Sequence, residues 1–119
     1  MTPNSVNFMA LAAGALALGM AAYYWTTAFA EAKPWFPQPL QEELRARFAI
    51  DSFIWSGAVP AAARRNYLLS HVYGCFGMIC LTILAIAHGT LIGSLLFVGV
   101  TVLGLAQTCL CWRKYRRLR

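Results

Sequence analysis

The sequence is short of charge. Of its 119 residues only 12% are Asp, Glu, Lys or Arg, about half of the ~25% usual in soluble domains. The shortage is also uneven: no charged side chain occurs in the first 30 residues, and none in the 47 residues from 66 to 112. Such stretches cannot coat a domain that faces water. The only acidic residues are Glu31, Glu42, Glu43 and Asp51, all in one segment. That leaves little for general acid–base chemistry, and with no Asp, Glu, Lys or Arg inside the apolar stretches an ion or proton path lacks its usual parts. The enzyme signatures HExxH and GxSxG are absent, as is a glycine-rich phosphate loop before a helix. The chain is therefore expected not to be an enzyme.

What is present is apolar. Hydrophobic residues make up 60% of the chain and the mean hydropathy is +0.58. A spanning helix needs about 20 mostly apolar residues. The first uncharged stretch fits one span, over residues 8–30, and the second fits two with a tight turn between them. The expected fold is all-α and polytopic: three transmembrane helices plus an amphipathic interfacial helix between the first and second spans. Four parts follow along the chain. Residues 1–30 hold the uncharged N-terminus and first span, 31–59 a cytoplasmic loop rich in proline and aromatics, 60–112 a transmembrane hairpin, and 113–119 a basic tail.

A cleaved signal peptide is the rival reading of residues 1–30, since Ala28-Phe29-Ala30 has the small residues that a cleavage site needs. Against it, residues 1–7 contain no Lys or Arg, and the apolar stretch is longer than the ~7–15 residues of a signal core. Cleavage would also leave both basic blocks on the wrong side of two spans.

The charges orient the spans. Arg113, Lys114, Arg116, Arg117 and Arg119 lie within the last seven residues, where the positive-inside rule puts a cytoplasmic tail. Two spans back, Arg64 and Arg65 are then also inside, and the uncharged N-terminus is outside. This placement accounts for the net charge of +6 without nucleic acid. The arginines and Lys114 are expected to meet anionic lipid headgroups, at about 1 kcal/mol each. Trp35 and Trp112 are expected at headgroup depth. The arrangement resembles small bacterial inner-membrane proteins in general, and no particular family.

Between the first two spans, Pro34, Pro37 and Pro39 surround Trp35 and Phe36 and predict an extended stretch. A helix is predicted from Pro39 to about Trp55. Leu40, Leu44, Phe48, Ile50, Ile54 and Trp55 share one side of it. Glu43, Arg47 and Asp51 interrupt that side at spacing four, as an ion-pair ladder worth a few tenths of a kcal/mol per pair. Pro60 is predicted to open the second span, which reaches His88, and the third runs over residues 91–112.

Small residues mark packing faces. On the first span Ala10 pairs with Gly14 and Ala15 with Gly19 at spacing four; the third span carries Gly93, Gly99 and Gly104. Such faces let helix backbones approach where van der Waals packing holds helices together. They suit other membrane subunits or further copies of the chain, so the expected role is a non-catalytic accessory, assembly or structural subunit.

Folding the hairpin at residues 88–90 sets His71 level with Thr108, near Cys109, Cys111 and Cys75. Zinc or copper(I) accepts such ligands. Yet Cys109 and Cys111 are two apart on a helix, about 200° around its axis, and cannot readily share one ion. No metal site or cofactor is expected on this ground. His71 is the one candidate cofactor contact, because an ionisable side chain inside a membrane marks a functional site by default. A redox subunit in which His71 touches haem or quinone is the alternative function. His88 lies 17 residues further along, about 25 Å by helical rise, and cannot ligate the same iron. A small oligomeric channel is a third possibility, with Ser70, Thr82, Ser94, Thr101 and Gln107 too scattered to define a pore.

Overall fold

The computed structural model describes residues 3–118; Arg119 of the basic tail lies outside them. The described chain forms four helices: α1 (Pro3–Ala32), α2 (Glu43–Phe53), α3 (Ala61–His88) and α4 (Leu91–Leu118). Of these α1, α3 and α4 are long and apolar enough to cross a membrane. At 28 residues, α3 and α4 are each about 42 Å long, more than a ~30 Å hydrocarbon core.

The ends of these helices differ from expectation by local chemistry. Pro60, lacking an N–H, is the residue just before α3 rather than its first, and its carbonyl accepts from the N–H of Ala63 at 3.1 Å. The basic tail is not a separate segment: α4 runs through Arg113, Lys114, Arg116 and Arg117 to Leu118. Arginine and lysine are good helix formers, and positive charge at a helix C-terminus is favoured by the helix dipole. The turn between α3 and α4 is tight. The Gly89 N–H donates to the Ala85 carbonyl at 2.6 Å, and the Thr90 hydroxyl accepts from the Gly93 N–H at 3.2 Å to cap α4.

The helix expected from Pro39 is broken in two. A 3-10 turn covers Gln38–Leu40, and α2 starts only at Glu43. The Gln41 side chain folds back and donates to the Phe36 carbonyl at 3.0 Å, which holds the proline-rich stretch as a closed turn. The apolar side of α2 is also split. Ala46 and Ile50, with Ile54 just beyond the helix, are buried, whereas Leu44 is 64% and Phe48 83% exposed. Asp51 accepts from the Tyr67 hydroxyl at 2.9 Å and from Gln107 Nε2 at 3.1 Å. The carboxylate thus ties α2 to α3 and α4 rather than ending a surface ladder.

The largest buried cluster sits at the loop end of the molecule. There Ala28, Phe29 and Ala32 of α1 meet Ala46 and Ile50 of α2, Ala63 and Tyr67 of α3, and Cys111 of α4. Phe29 stacks on Trp25 at 5.3 Å, and Arg47 lies 5.8 Å above the Phe29 ring. Further down, α3 is central: α1 packs along one side of it and α4 along another, with no comparable contact between α1 and α4. Glycines set the α1–α3 spacing. A Cβ on Gly77 would lie 2.7 Å from Leu18 Cγ, and one on Gly14 would lie 3.1 Å from Cys80 Cβ. The α3–α4 seam is hydroxylic: Thr82 and Thr101 are 2.9 Å apart, as are Cys75 Sγ and Thr108 Oγ1.

Candidate functional site

Because α1 and α4 flank α3 without closing on each other, a groove of about 410 Å³ runs between them. Its α1 wall includes Leu18, Ala21, Ala22 and Trp25; its α4 wall includes Val100, Gly104 and Thr108. Small residues on three helices, Ala21, Gly74 and Gly104, leave the space open. His71, Ser70, Thr101, Gln107 and Thr108 supply most of the polar lining, and among the described residues no charged side chain lines the groove.

His71 is thus placed where a ligand could meet it. Its Nδ1 donates to the Tyr67 carbonyl at 3.0 Å, and its ring lies 4.6 Å from that of Tyr67. With the hydrogen on Nδ1, the neutral ring keeps Nε2 as an acceptor. The register expected for the hairpin is the one found: Thr108 Oγ1 lies 3.4 Å from the His71 carbonyl oxygen. Gln107, which the sequence suggested only as one of several scattered polar residues, holds Asp51 at the loop end of the groove.

The cysteines are dispersed. Cys75, Cys80 and Cys111 are buried, and Cys109 is exposed on the other side of α4 from Cys111. Among the described residues no three His, Cys, Asp or Glu side chains are grouped as metal ligands would be. His88 is exposed at the far end of α3.

The small residues divide into three sets. Gly14 faces α3 and Gly104 faces Cys75, whose Sγ would lie 3.4 Å from a Cβ added there. Gly93 lies against the Thr90 hydroxyl of its own turn, and Ala10 is half-buried. Ala15, Gly19 and Gly99 are exposed, and a Cβ on Gly19 or Gly99 would touch nothing within 4 Å. Gly77, at the closest approach of α1 and α3, had no sequence signal beyond being a glycine in an apolar helix.

The aromatic and basic residues sit at the loop end. Trp35 and Trp112 are exposed, the latter stacked on Tyr115 at 6.1 Å. Arg64 is partly committed, its Nη1 donating to the Val59 carbonyl at 2.9 Å and the Ser56 carbonyl at 3.3 Å. Arg65, Arg113, Lys114, Arg116 and Arg117 are exposed. Comparison of the chain with protein-family models, with curated proteins and with solved structures gives no match.

Proposed function

We propose that the chain is a non-catalytic multi-pass membrane protein that serves as an accessory, assembly or structural subunit, bound laterally to a larger membrane complex or to its own copies. One observation carries this reading. On α1, Ala12, Ala15, Gly19, Ala22 and Thr26 follow one another at spacings of three and four, and all are exposed. This is a second small-residue face, besides the Gly14 side already used against α3. Lipid tails gain little from such a face, whereas another helix can approach it closely.

In this reading the molecule lies in a bacterial inner membrane with its N-terminus outside and its loop end in the cytoplasm. Leu44 and Phe48, exposed one turn apart on α2, dip into the interface, and Arg65, Arg113, Lys114, Arg116 and Arg117 meet anionic headgroups. A second reading, a redox-complex subunit, draws on the placement of His71 in the groove, where haem or quinone could reach it.

The subunit reading is tested by mild-detergent purification from native membranes, with mass spectrometry of what co-purifies. A stoichiometric partner, lost on Gly19→Leu while the chain stays folded, is the expected result. A chain that emerges alone, with or without the substitution, would overturn it.

A further inference from the structure

The polar groups of the groove have spent their donors on the protein itself. The Ser70 hydroxyl donates to the Tyr67 carbonyl at 2.6 Å, and His71 Nδ1 donates to the same oxygen. The Thr101 hydrogen goes to the Phe97 carbonyl at 2.8 Å or to Thr82 across the seam. That of Thr108 goes to the Gly104 carbonyl at 2.8 Å. These four side chains therefore have only acceptors left, with His71 Nε2 the strongest of them, while the Trp25 indole on the α1 wall brings an N–H donor. Gln107 gives one N–H to Asp51 and keeps a second. A group that both donates and accepts matches this set; a hydroxyl does so, and a carbonyl or ether does not.

Position adds a second constraint. His71 lies six residues beyond Arg65 along α3, about 9 Å by helical rise, just below the depth at which exposed arginines reach the headgroups. Met78 is about 10 Å deeper still, and Leu18 and Val100 face that deeper part from α1 and α4. Four of the five polar side chains thus lie toward the interface, and the deeper part is apolar apart from Thr101, whose hydroxyl is tied to Phe97 and Thr82. Among the described residues no charged side chain lines it, so its lining holds no countercharge for a phosphate head.

We propose that this groove binds a neutral amphiphile whose head carries a hydroxyl, held by His71 Nε2, and whose hydrocarbon tail lies along Leu18, Met78 and Val100. The volume of about 410 Å³ falls within the range of small-molecule sites, about 300–1,000 Å³. An aryl hydroxyl, as in a reduced quinone, and an alkyl hydroxyl, as in an isoprenoid alcohol, share this chemistry. The site concerns the single chain, so it stands or falls separately from lateral assembly through α1.

The test uses the full chain in detergent, with bound probe counted by native mass spectrometry. The probes are 4-nonylphenol and 4-nonylanisole, alike except for O–H against O–CH₃, and 1-dodecanol with its methyl ether. One hydrogen bond leads to an expected preference of about five- to tenfold for the hydroxyl over its ether. The tighter of the two hydroxyl probes identifies the source as aryl or alkyl. His71→Phe keeps a ring in place and should bring the hydroxyl probe down to the affinity of the ether, leaving the ether unchanged. Val100→Phe, at an exposed position on the groove wall, should weaken all four probes. Equal binding of each hydroxyl and its ether by the unsubstituted chain would overturn the proposal. So would a hydroxyl preference that survives His71→Phe.

Discussion

Single residues decide how this chain closes. Asp51 Oδ1 accepts from both Tyr67 and Gln107, so one carboxylate oxygen joins three helices. A hydrogen bond to a charged group contributes about 1.5–3 kcal/mol. Tyr67→Phe should lower stability by roughly that amount, and free residues 33–59 for faster cleavage by added protease while far-ultraviolet helicity is kept. Unaltered cleavage would mean that the Tyr67–Asp51 bond does not hold the loop in place. Glycines give a sharper contrast. Gly77 sits where α1 and α3 touch, and the open Gly19 does not. Gly77→Val should cost about 1–3 kcal/mol through overpacking in a detergent unfolding titration. Gly19→Ala should be neutral or slightly stabilising, by helix propensity. Spacing in the sequence marked Gly19 as a packing position and passed over Gly77, because small-residue spacing shows a face that a helix could use and not which face this chain's own α3 takes.

Elements were legible where charge and proline punctuate the chain. Two uncharged stretches, the Gly89 turn and Pro60 placed three long helices and the hairpin register, because charge is costly in hydrocarbon and proline cannot continue a ladder. The loop was read less well. Leu44, Phe48, Ile50 and Ile54 form one apolar arc on a wheel, but a helix wedged between a protein surface and its surroundings can divide such an arc. Ile50 and Ile54 went to the core, and Leu44 and Phe48 stayed outside. If α2 rests on a bilayer, a nitroxide at residue 48 should be relaxed more by oxygen, which concentrates in lipid, than by a water-soluble nickel chelate. Greater relaxation by the nickel chelate than by oxygen at residue 48 would place that face of α2 in water.

At the scale of the whole molecule, the three long helices are joined most firmly at one end and are least covered toward the other, α4 least of all. The orientation assigned from charge has a direct test. Ser5→Cys should react with a membrane-impermeant maleimide on intact cells, above the background of the native cysteines. Reaction only after permeabilisation would reverse the topology. The groove was not legible in the sequence, because it arises from α1 and α4 leaning on α3 without meeting, a matter of crossing geometry that no spacing encodes. The cluster at the loop end has a consequence for biosynthesis. Residues 28–68 supply nearly all of it, yet Cys111 of α4 completes the packing and Gln107 secures Asp51. Until α4 has been made and inserted, a nascent chain therefore holds this segment by its own apolar contacts and the Tyr67–Asp51 bond, and gains its last two supports, Cys111 and Gln107, about forty residues later.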